Sequence, residues 1–243
     1  MDKKLTYKNG IIDGLPICFA YLAVSFTFGM TAVQNGFDVL FATAISGTNL
    51  TSAGQFAGLN LISAGVALLE LFIAVFIINS RYILMSLSIS QYLPEKTGYL
   101  KRAVMSFFVT DEIFAVANHR KEKVSFIYFL GLGTTPYLGW TIGTLLGGIT
   151  NTLLPQSLQS AMGIALYCMF IAIIIPPATK SLPITICILI ATALSCTFYY
   201  VPVLNQVSSG ISIIIVSVVT SMVVAILFPI KQQNNDGSKE VCD

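Results

Sequence analysis

Long apolar runs bounded by turn residues dominate the hydrophobic pattern, and they fall at about 15–34, 39–60, 62–92, 103–119, 124–149, 160–179, 181–200 and 207–230. Crossing a hydrocarbon core of about 30 Å takes about 20 apolar residues of α-helix, so the pattern predicts an all-α, polytopic membrane bundle. Asn35-Gly36, Leu93-Pro94, Leu154-Pro155, the Pro176-Pro177 pair with Pro183, and Val201-Pro202 separate the runs. Two runs make poor continuous helices. The run 39–60 contains Gly47-Thr48-Asn49 and Ser52-Ala53-Gly54-Gln55, while 103–119 is short and holds Asp111-Glu112. Non-helical backbone at membrane depth survives where protein covers it or where it lines a wet cavity, so either run can cross as a broken helix or re-enter. The expectation is six to eight helical elements, one or two of them broken or re-entrant. A second Gly-rich stretch, Gly131 to Trp140, reads as an interruption comparable to 47–55 and hints at an inverted repeat.

Charge sharpens this picture. Only 10% of the chain is charged against 55% hydrophobic, far from the balance of soluble domains. Outside the runs there remain a head at 1–14, two small charged loops and a polar tail at 231–243, leaving 15–230 as the membrane domain. Lys3, Lys4 and Lys8 precede the first run as in a secretory signal, but 15–34 exceeds the usual apolar core of about 7–15 residues, so an uncleaved first helix is expected. If all eight runs cross, nine flanking cations lie on the cytoplasmic side and three (Lys96, Lys101, Arg102) outside. If 39–60 and 103–119 re-enter, six helices cross and all twelve are cytoplasmic. Either arrangement puts both termini in the cytoplasm. No dense basic cluster suited to nucleic acid is present. The five cysteines lack close spacing, so they read as small core residues, with no disulfide and no metal site. No cofactor is expected.

Four ionisable residues lie inside the runs, Glu70, Arg81, Asp111 and Glu112, and each requires a partner, a water cavity or a functional role. Glu70 and Arg81 lie about 16 Å apart along a continuous helix and cannot pair. Arg81 therefore needs an acid from the next run, and Asp111 is the expected partner. Neighbouring helical residues point about 100° apart, which leaves one carboxylate of the pair free to titrate, so that Asp111 or Glu112 carries the proton; the alternative is a structural lock between arginine and acid. Glu70 either reaches an interface, faces a partner or functions. Gly47, Asn49, Ser52, Gly54 and Gln55 offer small side chains, exposed backbone amides and side-chain amides of the kind that bind a zwitterion, although small residues also serve helix packing. Trp140, the single tryptophan, is a candidate cavity wall or a packing residue. His119, beside Arg120 and Lys121, reads as a loop histidine.

Gly14-Leu15-Pro16-Ile17, Ala53-Gly54-Gln55-Phe56-Ala57, Asn79-Ser80-Arg81, Thr110-Asp111-Glu112 and Trp140-Thr141-Ile142-Gly143-Thr144 together resemble the AzlC family, the large subunits of bacterial branched-chain amino acid exporters. The resemblance runs in order from about residue 10 to 177. It implies efflux of valine, leucine or isoleucine, sometimes methionine, across the bacterial cytoplasmic membrane. It also implies coupling to the proton-motive force and a small AzlD-like membrane subunit as partner. Two departures stand out: Ala165 occupies the place of an acid found in many members, and Tyr82 follows Arg81 where many have His. Competing classes are the permease subunit of an ATP-driven pump, which would need a separate ATPase because this chain has no Walker loop, and a passive channel. The chain has no H-E-x-x-H or G-x-S-x-G motif and one histidine, so an enzyme is not expected.

Overall fold

The computed structural model describes residues 5–94, 97–119, 124–151 and 174–229, together with residues 157, 164, 168 and 171. All regular structure among them is helical, and the chain divides into two compact units, Met1–Ile174 and Ile175–Asp243. The first unit holds α1 (Tyr7–Gln34), α2 (Val39–Thr48), α3 (Ala53–Ser63), α4 (Leu68–Asn79), α5 (Arg81–Gln91), α6 (Tyr99–Phe107), α7 (Asp111–His119) and α8 (Phe126–Thr150). The second holds α9 (Leu182–Tyr200), a 3-10 turn at Leu204–Gln206 and α10 (Ser209–Leu227). Tyr7–Gln34, Leu68–Gln91, Leu182–Tyr200 and Ser209–Leu227 are long and apolar enough to cross a membrane.

Local chemistry explains where the helices start. The Thr6 hydroxyl accepts from the Asn9 amide at 3.4 Å, so α1 begins at Tyr7 and absorbs most of the expected head. Asp38 caps α2 through the Leu40 amide at 2.8 Å, and Ser125 caps α8 through the Tyr128 amide at 3.2 Å. Gly36, at φ 85°, supplies the left-handed turn after α1.

α1 and α8 run parallel with their backbones in contact. A Cβ on Gly14 would stand 2.8 Å from the Leu132 carbonyl oxygen, one on Gly139 2.6 Å from that of Cys18, and one on Gly143 2.6 Å from that of Leu22. The Gly-rich stretch 131–140 therefore does not interrupt a helix, as the sequence led us to expect; its glycines are the contact face of a continuous α8. Small residues at four-residue spacing let membrane helices approach this closely.

This parallel pair defines two ends of the first unit. At the proximal end, the Ser125 hydroxyl donates to the Leu5 carbonyl at 3.0 Å, the Val124 amide donates to the Tyr92 carbonyl at 3.0 Å, and Lys101 lies over the Phe126 ring at 5.7 Å. At the distal end, the Gln34 amide reaches Asn151 at 3.1 Å and Val39 packs on Gly148. From Val39, α2 runs inward until Ser46 meets Thr144 at 2.8 Å and the Tyr137 hydroxyl donates to the Gly47 carbonyl at 2.9 Å. The chain then reverses: α3 returns toward the distal end beside antiparallel α4, with Gly54 against Asn79 and Gly58 against Val75. α6 enters from the proximal end, reaches Gly133 with Phe108, and α7 goes back out. Each of these four helices is about 14–16 Å long, half a hydrocarbon core.

The runs 39–60 and 103–119 are thus half-depth hairpins inserted from opposite ends, and the run 62–92 crosses as α4 and α5. Long helix plus hairpin recurs with inverted direction, α1–α3 against α4–α7. The inverted counterpart of 47–55 is therefore 108–110, at the tip of the second hairpin. Of the described cations, Lys8, Lys101 and Arg102 lie toward the proximal end, whereas the distal segments 35–38 and 64–67 carry no cation. In a cysteine-free background, Gly98→Cys should react with an impermeant thiol reagent on the side of the N-terminus and Ala64→Cys on the opposite side. The reverse pattern would mean that all eight runs cross.

In the second unit, α9 buries none of its residues and α10 buries Gly210, Val216 and Thr220, which suits helices surrounded by lipid tails. Cys168 and Cys196 are exposed rather than in a core, while Cys18 packs against Gly139. His119 closes α7 instead of lying in a loop. Of the run 160–179, residues 164, 168, 171 and 174–179 are helical; Ala165 and the tail 231–243 lie outside the described residues.

Candidate functional site

Three breaks in the helices meet at mid-depth of the first unit, each with a local cause. At Ser80 the hydroxyl bonds the Ile77 carbonyl at 2.8 Å, competing with the helical ladder between α4 and α5. Between α2 and α3, Asn49 Oδ1 accepts from the Thr51 hydroxyl at 2.9 Å, and Ser52 adopts φ 45°. A non-glycine residue there carries backbone strain of about 1–3 kcal/mol that the surrounding structure must offset. Between α6 and α7, Thr110 caps α7, its hydroxyl accepting from the Ile113 amide at 3.4 Å. Asp111 and Glu112 consequently occupy the first turn of α7, where the helix dipole favours acids.

The expected partnership forms. Arg81 Nη1 lies 2.6 Å from Asp111 Oδ2, with the two side chains 36% and 23% exposed. The other terminal nitrogen donates to the Tyr82 hydroxyl at 3.1 Å, and Tyr82 donates in turn to the Thr51 carbonyl at 3.2 Å. This relay joins all three breaks, because Arg81 and Tyr82 open α5, Asp111 opens α7 and Thr51 sits at the hairpin tip. Glu112 points elsewhere, as the angular argument requires, but it is not left alone: the Tyr21 hydroxyl of α1 donates to its carboxylate. Glu70 is not brought to Arg81. It lies in the first turn of α4, about three helical turns away toward the distal end.

The amide-rich candidates divide. Gln55 and Trp140 are joined, Trp140 Nε1 donating to Gln55 Oε1 at 2.8 Å. The Gln55 amide nitrogen is shared between Ser46 and the Asn49 carbonyl, each at 3.4 Å. Trp140 is fully buried, edge-on to Tyr21 at 5.3 Å between ring centroids, and it does not wall the cavity. That cavity, of about 550 Å³, lies between the α2–α3 hairpin and α4, with Phe28 of α1 also on its wall. Leu59, Phe72 and Val75 give it an aliphatic and aromatic body; Asn49, Gln55 and Asn79 give it a polar end, with Gly54 beside them. Gly47 contributes its carbonyl to Tyr137 and is not on the cavity wall.

The family described as AzlC protein matches residues 16–154, more than half of the chain. The chain belongs to the AzlC family. The AzlC match runs from Pro16 within α1 past the end of α8, and every residue of the charge cluster lies inside it. An uncharacterised membrane protein of Archaeoglobus fulgidus is 32% identical over 72% of this chain and 78% of its own length. The inner membrane protein YgaZ of Escherichia coli is 25% identical over 82% of this chain and 84% of its own. An uncharacterised membrane protein of Helicobacter pylori is 30% identical over 60% and 64%. No solved structure matches. As an AzlC membrane protein with half-depth hairpins and a mid-depth charge cluster, the chain is consistent with a membrane transporter.

Tyr21, Tyr82 and Asn79 were not singled out as site residues from the sequence. Nothing in the pattern distinguishes Tyr21 from its apolar neighbours. Asn79 had a signal, the polar triplet Asn79-Ser80-Arg81 inside an apolar run.

Proposed function

We propose that this chain is a secondary active exporter of branched-chain amino acids, driven by the proton-motive force and working with a small AzlD-like membrane subunit. The observation that carries this reading is a pair of mid-depth carboxylates, one locked to arginine and one held by a tyrosine hydroxyl, linked through Tyr82 to Thr51 on the wall of an aliphatic cavity of about 550 Å³. A cavity of this size with an apolar body and few polar groups suits a small aliphatic ligand, and ionisable groups at membrane depth suit a proton relay. The proximal end, with its run of flanking cations, faces the cytoplasm of the bacterial cell, and both termini lie there.

In this mechanism the Arg81–Asp111 pair fixes α5 to α7. Glu112 carries the coupled proton, and Tyr21 holds its carboxylate in position between loading and release. The two hairpins close the path in turn, α2–α3 from the distal side and α6–α7 from the proximal side. The test is counterflow of labelled leucine, valine and methionine in proteoliposomes, with and without a co-expressed small subunit, compared with efflux driven uphill by a pH gradient. Glu112→Gln should retain leucine exchange while losing uphill efflux, because a neutral amide cannot return a proton. Uphill efflux at the wild-type rate in that variant would remove Glu112 from the coupling step.

A further inference from the structure

At the junction of the three breaks, Asn79 Oδ1, Ser52 Oγ and Arg81 Nε are buried without a hydrogen-bond partner. Buried polar atoms are nearly always satisfied, and a cluster of orphans marks a place where water or a ligand belongs. Asn79 lines the polar end of the cavity, as does Thr51, the residue before Ser52. The other amides of that end are committed: Gln55 to Trp140 and Ser46, Asn49 Oδ1 to Thr51. The nearby carboxylates are committed as well, Asp111 to Arg81 and Glu112 to Tyr21. Gly54 leaves room for the Asn79 amide, since a Cβ there would come within 2.5–2.7 Å of its oxygen and nitrogen.

We propose that this polar end is the head-group site for a zwitterionic aliphatic amino acid, with Asn79 Oδ1 accepting from the α-ammonium group. The carboxylate turns toward the Ser52 hydroxyl and the cationic side of Arg81, and the aliphatic side chain lies along Leu59, Phe72 and Val75. Both ends of the zwitterion meet groups that otherwise lack partners, so the site discriminates against an aliphatic acid without an amino group, which leaves Asn79 unsatisfied. The assignment rests on the exporter reading and adds to it the residue that recognises the amine.

The experiment measures inhibition of labelled leucine counterflow by unlabelled leucine and by 4-methylpentanoate, which is leucine without its amino group, in proteoliposomes of the full chain. The same two compounds are tested for thermal stabilisation of the detergent-solubilised protein, a readout independent of turnover. Wild type should prefer leucine by at least about tenfold. Asn79→Leu should bind leucine about tenfold more weakly and lose the preference, whereas Asn79→Asp, which keeps an acceptor oxygen, should retain it. Gly54→Ala, which displaces the amide, should shift in the direction of Asn79→Leu. Wild-type affinity and preference in Asn79→Leu, or loss of preference in Asn79→Asp, would overturn this site while leaving leucine exchange by the wild type intact. A wild type that exchanges no aliphatic amino acid would overturn the exporter reading, and this site with it.

Discussion

Asp111→Asn is expected to reduce leucine transport at least about 100-fold, equivalent to about 2.7 kcal/mol, and to lower thermal stability as well. The variant leaves the Arg81 guanidinium with the Tyr82 hydroxyl and ring as its nearby partners. Breaking a fully buried ion pair costs about 3–5 kcal/mol; this pair is partly exposed, so a stability loss of about 1–3 kcal/mol is the reasonable scale. A double variant separates the two effects. Arg81→Leu combined with Asp111→Leu removes both charges, and it should recover abundance and melting temperature without recovering transport. Recovery of transport along with stability would reduce the pair to a packing device. Additive stability losses in the double variant would mean that the two side chains do not act on each other.

The second large effect is steric. Gly143→Leu should prevent assembly, and even Gly143→Ala should lower stability toward the upper part of about 1–3 kcal/mol, read from thermal unfolding in detergent. At this position the added carbon would stand 2.6 Å from the Leu22 carbonyl oxygen and would overlap the Ser25 hydroxyl. Backbone atoms cannot rotate away as a side-chain tip can. Gly98 provides the control, because a Cβ there meets nothing within 4 Å; Gly98→Ala should be close to neutral. A stable Gly143→Leu protein would mean that α1 and α8 do not touch along this face.

Much of the architecture was legible because its causes are local. The apolar runs predict where α1, α8, α9 and α10 fall, and the need of Arg81 for an acid at membrane depth predicts the pair with Asp111. The doubtful runs 39–60 and 103–119 were recognised as broken from their Gly, Asn and acidic residues. Whether they crossed or turned back was not legible, since the answer depends on what they pack against: Ser46 on Thr144, Phe108 on Gly133. One local clue was overlooked. Thr110-Asp111-Glu112 is a helix start, a capping hydroxyl followed by acids, and it places the beginning of α7 where the structure has it. The Gly131 to Trp140 stretch misled for the opposite reason, because glycine composition alone cannot tell a broken helix from one pressed against a neighbour. In the site, one carboxylate of the pair was expected to face away from the arginine, but its tyrosine partner was not legible, since Tyr21 lies far away in sequence and no periodicity announces their meeting. Trp140 and Gln55 were both picked out from composition, and only packing shows that they spend their polar atoms on each other.

At Gly14, Gly139 and Gly143 the seam between α1 and α8 brings backbone against backbone, so sliding one helix along the other would drive these positions into collision. The two therefore form a single rigid strut. Whatever motion the protein undergoes must be absorbed by hinges elsewhere, and the first unit has its candidates at 49–52, Ser80 and 108–110. Those hinges directly adjoin the residues that hold the charges, and 49–52 supplies Asn49 and Thr51 to the polar end of the cavity. Occupancy and shape change are consequently mechanically inseparable in this molecule.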